Sequence, residues 1–353
     1  MMFTYTGLPA RVIFGSGTID QLASEADALG LSRVLVLTTP PQADMGAMAA
    51  DRLGPKAVGV FTEAAMHTPV EVTDRALAQF NGLDADGVVA IGGGSTIGLG
   101  KAIALRTDAP QIVLPTTYAG SEMTSIIGQT EKGLKTTQKT LKVLPETVIY
   151  DVDFTLSLPP LMSVTSGMNA VAHAVEALYA ENANPVLSMM AEDGVRALVN
   201  ALPVIAETPD DRTARENALY GAWLCAICLG SAGVALHHKL CHVLGGSFDL
   251  PHAETHAIVL PHALAYNAPS IAPAMERLRR AVGHDDPAGA FFDVVKTSGA
   301  ATALEDLGMP KDGVEKAVEI TFQNPYYNPR PLERTGISEL IYAAWAGERP
   351  TVT

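Results

Sequence analysis

Up to Asp151 the chain alternates two kinds of apolar pattern. Short, β-branched, nearly unbroken apolar runs lie at Val34 to Thr39 (VLVLTT), Val58 to Thr62 (VGVFT), Gly87 to Ile91 (GVVAI), Ile112 to Thr116 (IVLPT) and Thr147 to Asp151 (TVIYD). Strands covered on both faces read this way. Between the earlier runs the apolar spacing is helical, over Ile19 to Ala28, Asp44 to Leu53, Val70 to Phe80 and Thr96 to Leu105. Strand and helix in alternation predict an α/β domain, a parallel sheet with helices on both sides. Ligands of such sheets bind at the carboxyl ends of the strands.

After Asp151 the strand pattern stops, and Pro159-Pro160 punctuates the change. The remainder is alanine-rich, with leucine and methionine at spacings of three and four, which predicts an all-helical C-terminal domain. Breaks are expected at Asn184-Pro185, Pro209-Asp210, Gly245-Gly246, Pro251, Pro261, Asp286-Pro287 and Pro310. The predicted division is 1–156 and 157–353.

The length of 353 residues fits two cores better than one. A composition 48% hydrophobic and 18% charged is that of a water-soluble globular protein. The net charge of −14 argues against nucleic acid and anionic membrane surfaces as partners. It leaves small acidic substrates open, because a local cationic pocket outweighs a distant field. The three cysteines, Cys225, Cys228 and Cys241, are odd in number and fit a reducing cytoplasm. Cys225 and Cys228 form a CxxC inside an apolar helical run, which reads as packing thiols. The start MMFTYTGLPARV lacks a signal-peptide pattern, and no apolar run reaches membrane-span length without polar interruption.

Two stretches mark the ends of strands. Gly92 to Lys101 (GGGSTIGLGK) follows GVVAI and opens a helical run, so its backbone N–H groups are placed for a pyrophosphate. It is neither a Walker A sequence nor GxGxxG. Pro115 to Thr124 (PTTYAGSEMT) offers five hydroxyl side chains to a ribose, a phosphate or a carboxamide. A plain glycine turn and a Ser/Thr-rich loop are the bland alternatives.

The helical half carries GVALHHKLCHVLGGSFDLPHAETH, Gly233 to His256, with five of the nine histidines. His238, His242, His252 and His256 fall at spacings of four, ten and four, and on a helix the spacing of four would put His238 and His242 side by side on one face. A break at Gly245-Gly246 and a return at Pro251 would bring His252 back toward His238 and His242. In SGMNAVAHAVE a helix start at Ser166 or Gly167 puts Asn169 and His173 on one face. Together Asn169, His173, His238 and His252 look like a metal site with one ligand wrong, because an amide oxygen stands where a carboxylate serves best.

These residues together resemble the iron-containing (group III) alcohol dehydrogenase family along essentially the full chain. The resemblance rests on FGSGTI, GGGS after a strand, PTT…GSE, GMNAVAHAVE, the HxxxH segment, Pro-His and NPRP. It implies an NAD(P)-binding α/β domain followed by a helical domain. Metal-bearing members have Asp, His, His and His at the positions of Asn169, His173, His238 and His252. Asn169, together with Gly98 in place of a common aspartate, resembles the maleylacetate reductase branch. That branch reduces the carbon–carbon double bond of maleylacetate to 3-oxoadipate, in aromatic-compound degradation, without a metal.

On this resemblance His242 and His252 are expected to be proton donor and oxyanion partner, in either order. His173 and His238 line the pocket and, if protonated, hold carboxylates, while Asn169, Lys239 and Arg330 are candidates for binding the dicarboxylate substrate. Gly93, Gly94 and Ser95 are expected at the pyrophosphate, Thr116, Thr117 and Tyr118 near the nicotinamide, and Lys135 near the ribose. After the first strand, Thr38 and Thr39 stand where an acid would exclude a 2′-phosphate, so NADH or NADPH is expected to serve. The family implies a homodimer. Two rival readings stay open: a metal-dependent (iron or zinc) alcohol dehydrogenase, and a non-catalytic nucleotide-binding protein on the same scaffold.

Overall fold

The computed structural model describes residues 3–8, 10–323 and 326–352, with Lys135 described by its backbone alone. Gly7–Leu158 forms one compact unit, and the segment beginning at Pro159 belongs to another.

In the first unit the strands are β1 (Arg11–Gly15), β2 (Val34–Leu37), β3 (Ala57–Phe61), β4 (Gly87–Gly92), β5 (Gln111–Pro115), β6 (Ile126–Glu131), β7 (Leu134–Lys139) and β8 (Thr147–Asp151). The helices are α1 (Leu22–Ala28), α2 (Ala43–Leu53), α3 (Val70–Gly82) and α4 (Gly94–Thr107). Six strands form one parallel sheet in the order β1-β8-β5-β4-β2-β3. Strand alternation explains why both faces are covered. Val34, Val36, Val89, Ile91, Ile112 and Leu114 face a core shared with Leu22, Ala26, Ala49 and Leu53 of α1 and α2. Their neighbours Leu35, Leu37, Val88, Ala90 and Val113 face Ala76, Phe80, Ile97 and Ile103 of α3 and α4. The chain goes outward from β2 to β3 and returns to the other side of β2 as β4, so the order reverses between β2 and β4. A crevice at the carboxyl ends of two such strands is where ligands of these sheets bind.

A purely parallel reading of this unit is incomplete. β6 and β7 form an antiparallel hairpin, closed by Lys132 and Gly133, whose φ values of 49° and 78° suit a two-residue turn. IIGQTEKGLKTTQK carries little apolar alternation and has Lys-Gly where Asn-Gly or Asp-Gly would signal a hairpin.

The second unit is helical: α5 (Pro160–Ala177), α6 (Pro185–Glu207), α7 (Arg212–Ser231), α8 (Leu236–Phe248), α9 (His252–Asn267), α10 (Ala272–Val282), α11 (Pro287–Thr297), α12 (Gly313–Gln323) and α13 (Arg334–Ala346). Among the described residues no single helix is long and apolar enough to cross a membrane. Three expected boundaries move. α5 starts at Pro160, a residue suited to a first helical turn, and Gly167 lies inside it because a side chain there would meet Leu202 of α6 at 2.6 Å. α8 runs through Gly245 and Gly246 and ends where Asp249 turns left-handed, φ 53°. α9 continues through Pro261. Cys225 and Cys228 are buried thiols within α7, and Cys225 packs where Gly194 of α6 lacks a side chain.

Candidate active site

At the reversal between β2 and β4, backbone and side chains make an open cradle. Gly93 caps α4, its carbonyl accepting from Thr96 and Ile97, and no side chain among the described residues bonds the end of that helix. The first N–H groups of the helix, at Gly94 and Ser95, are therefore available to an anion. Gly94 is exposed and Ser95 half-buried. Gly92 has φ 152°, and a Cβ there would stand 2.4 Å from Thr96 Oγ1, so only glycine fits the approach to the turn. Gln42, in the 3-10 turn after β2, donates from Nε2 to Thr116 Oγ1 at 2.9 Å and accepts from Thr39 at 3.1 Å. It ties the ends of β2 and β5 across β4, a role that its place in TTPPQ did not signal.

Thr117 is half-buried beside Gly93. Tyr118, expected near the nicotinamide, is instead wholly enclosed, so its ring supports the loop from inside the protein. The expected role of Lys135 falls on a side chain outside the described residues. Lys101, at the end of GGGSTIGLGK, is fully buried and donates to the carbonyls of Thr124 and Ile126 and to Thr124 Oγ1. Burial pulls its ammonium down to about 7.

In the helical unit, three helices bring imidazoles together. α5 supplies Asn169 and, one turn on, His173. α8 supplies His237, His238 and His242, and α9 supplies His252 and His256. Ring centroids lie 5.2 Å apart for His173 and His238, 6.3 Å for His238 and His242, and 5.1 Å for His238 and His256. His252 and His256 are separated by 4.4 Å. His242 and His252 are exposed, whereas His173, His237, His238 and His256 are buried. Four buried polar atoms, Asn169 Oδ1, His173 Nδ1, His238 Nε2 and His256 Nε2, lack a hydrogen-bond partner among the described residues. Orphans at this density mark a place prepared for a ligand.

Glu176, three residues beyond His173 on α5, organises the cluster. Its carboxylate accepts the backbone N–H of Ala235 and of His237, each at 2.7 Å, and the Nδ1 of His238 at 2.7 Å. A carboxylate only accepts, so His238 carries its proton on Nδ1. Its Nε2 is left facing the cluster.

Burial, with neighbouring imidazoles adding to it, pushes His173, His237 and His256 well below the usual histidine range. His173 is thus a neutral ring at working pH, which corrects the expectation that it holds a carboxylate as a cation. Lys239 is buried with its ammonium 4.8 Å from the Tyr326 ring centre. Arg330 stacks on Tyr266 at 4.3 Å and donates to the Tyr266 carbonyl at 2.7 Å. This ties it to the end of α9 opposite His252, so its placement is that of a helix-end brace and not of a carboxylate clamp.

Comparison with known proteins gives this geometry a lineage. The family described as iron-containing alcohol dehydrogenase matches residues 9–152, and the Fe-containing alcohol dehydrogenase family, C-terminal, matches 163–345. The chain belongs to the iron-containing alcohol dehydrogenase family. It is 55% identical over 350 residues to a maleylacetate reductase of Sphingobium indicum, covering 99% of both chains. A maleylacetate reductase of Rhizobium sp. strain MTP-10005 is 54% identical over 348 residues, again 99% of each. The crystal structure of maleylacetate reductase from Agrobacterium tumefaciens superposes with a TM-score of 0.96 at 53% identity, over 99% of this chain and 100% of that one.

The family name raises the question of iron. The candidate donors here are Asn169 Oδ1 and the rings of His173, His238 and His252, a set with no charge of its own. Glu176, the carboxylate beside them, is already committed to three N–H groups. A ligand set without an anionic donor fits a divalent iron poorly.

Proposed function

We propose that this protein is a maleylacetate reductase using NADH or NADPH, and that it works without a metal. The observation that carries the reading is the 55% identity to a maleylacetate reductase across 99% of both chains. The histidine cluster supplies the chemistry. Atoms balance as maleylacetate, reduced nicotinamide and a proton giving 3-oxoadipate and oxidised nicotinamide.

The dinucleotide is assigned to the crevice at β2 and β4, with its pyrophosphate on the N–H groups of Gly94 and Ser95 beside Gly93. Thr116 and Thr117 line the loop on the nicotinamide side. Lys135 is assigned to the ribose on family grounds alone. Once bound, the nicotinamide supplies a hydride to the double-bond carbon β to the ketone. His242 and His252, the exposed members of the cluster, then have two tasks. One donates to the ketone oxygen as it gains enolate charge, and the other delivers the proton to the neighbouring carbon. His238, fixed by Glu176 at 2.7 Å, lines the pocket beside them. Asn169 and Lys239 are assigned to the substrate carboxylates. Thr38 and Thr39 leave the ribose pocket without an acid, so both cofactors serve. The assembly is proposed to be a homodimer, and three buried free thiols suit a reducing cytoplasm.

The test is NADH oxidation driven by maleylacetate. His242→Ala and His252→Ala are each expected to lower kcat by about a hundredfold or more, and exhaustive chelation to leave the unaltered enzyme active. Loss of activity on chelation, restored by iron or zinc, would refute the metal-free reading in favour of a metal-dependent alcohol dehydrogenase. Absence of turnover with maleylacetate would refute the substrate.

A further inference from the structure

We propose that Gln42 is a cofactor-positioning residue, its carboxamide held across the crevice as an uncharged floor beneath the pyrophosphate of the bound dinucleotide. This assignment rests on the reading of the chain as an NAD(P)H-dependent reductase with its cofactor at β2 and β4.

Gln42 is fixed at its backbone and at both ends of its side chain. Pro40 and Pro41 precede it in the 3-10 turn Pro40–Gln42, and their locked φ values restrict the path of that turn. Its backbone N–H donates to the carbonyl of Thr39 at 3.0 Å, and its own carbonyl accepts from Thr38 Oγ1 at 3.2 Å. Thr38 is wholly buried, so its hydroxyl serves this anchor and does not front the ribose. The carboxamide is then bonded to Thr39 Oγ1 at 3.1 Å and to Thr116 Oγ1 at 2.9 Å. Thr116 is 2% exposed and donates its backbone N–H to the carbonyl of Gly92 at 3.1 Å. A flexible side chain with both ends held has lost its rotamer freedom before a ligand arrives.

β4 lies between β2 and β5 in the sheet, so a side chain that joins Thr39 to Thr116 passes over the end of β4. Gly92 is that end, and a Cβ on it would stand 3.0 Å from Gln42 Oε1. The next residues, Gly93, Gly94 and Ser95, open α4. A dinucleotide laid across such a switch point sets its phosphates over the strand that feeds the helix, with one nucleoside toward each neighbouring strand. The carboxamide therefore lies under the phosphates. Gln42 is half-buried, so it is not sealed beneath the turn.

Charge separates this role from that of a plain structural tie. Both partners of the carboxamide are hydroxyls, and a hydroxyl donates as readily as it accepts. A glutamate of the same shape would keep both bonds, so a tie alone is indifferent to the change. A floor for an anion is not. Thr39, Gln42, Gly92, Gly93, Gly94, Ser95 and Thr116 carry no charge among them, and the pyrophosphate is assigned to N–H groups and the helix dipole. A carboxylate placed a few ångströms from it would repel it strongly in a half-buried setting.

Titration of NADH and of NADPH, without maleylacetate, into Gln42→Glu and Gln42→Ala tests the assignment. Gln42→Glu is expected to keep its melting temperature within about 2 °C. It is expected to bind both cofactors about thirtyfold or more weakly. The two losses should agree within about threefold, because both cofactors carry the pyrophosphate. Gln42→Ala removes the tie without adding charge, and its loss should stay under about tenfold. The reverse order, with Ala the weaker binder, would reduce Gln42 to a structural tie and overturn the proposal. A loss in Gln42→Glu confined to NADPH would overturn it by placing the side chain at the 2′-phosphate. If Gln42→Glu fails to fold, Gln42→Lys decides. A cation under the phosphates should tighten both cofactors by about threefold or more, and weaker or unchanged binding there would overturn the proposal. An unaltered enzyme that binds neither cofactor would sink the functional reading, whereas normal binding by both the unaltered enzyme and Gln42→Glu would sink this assignment alone.

Discussion

His262 lies on α9 with 3% of its surface exposed, and its Nε2 lacks a partner among the described residues. Burial drives its pKa down to about 4 from an ordinary 6.5. Between those values the unfolded chain binds the proton and the folded chain refuses it. Folded stability is therefore intact above pH 6.5 and is lost as the pH falls toward 4. For this one ring the loss between pH 7.5 and pH 5 is about 2 kcal/mol. Denaturant unfolding at the two pH values checks it. His262→Gln should shrink the pH-dependent difference by that amount, and an unchanged difference would show that His262 is already protonated or paired when folded.

Helix ends govern how far the elements and the site were legible in advance. The five runs from Val34 to Asp151 were readable as strands because each is apolar on both faces, and the helix periods between them were equally plain. The β6–β7 hairpin was not, since its strands are largely polar and bury little. Gly245-Gly246 and Pro261, which the sequence marks as breaks, lie inside α8 and α9. A glycine weakens a helix by only about 1 kcal/mol, and packing over α8 and α9 exceeds that. The same continuity of α8 and α9 places His237, His238, His252 and His256 together, so the cluster is larger than spacing alone suggests. Glu176 was within reach of the sequence, three residues from His173 on one helix face, but nothing local shows that it would grip α8. At the start of α4, N–H groups with no side-chain cap from Gly93 would make the proposed pyrophosphate site a property of the helix end. Ser95→Leu is expected to raise KM for NADH by about tenfold or more, while KM for maleylacetate changes little. Direct titration of NADH binding checks this, and unaltered affinity would leave the GGGS turn with a purely structural role.

At the scale of the whole molecule, charge and task are opposed. The chain carries a net charge of −14, yet the proposed reaction needs a dicarboxylate and a pyrophosphate-bearing cofactor, each an anion, to approach it. In the proposed site the cofactor would meet neutral N–H groups at the start of α4, and Lys239 is the one cation assigned to the substrate, so these binding groups do little to offset the field at long range. Repulsion between exposed charges reaches about 10 Å at 0.1 M salt and about 30 Å at 0.01 M. Raising ionic strength from about 0.01 M to 0.15 M should therefore speed encounter and raise kcat/KM for both cofactors. NADPH, with its additional 2′-phosphate, adds up to about two negative charges, so its dependence should be the steeper, and the preference between cofactors should drift toward NADPH as salt is added. With Thr38 and Thr39 in place of an acid, the local discrimination stays within about a hundredfold, roughly 2.7 kcal/mol, and the drift is measurable on top of it. Steady-state kinetics with each cofactor across that range of salt check both slopes. A kcat/KM that falls with salt would show that a local cationic pocket steers the ligands in, and parallel slopes for the two cofactors would show that the 2′-phosphate meets compensating positive charge at its own site.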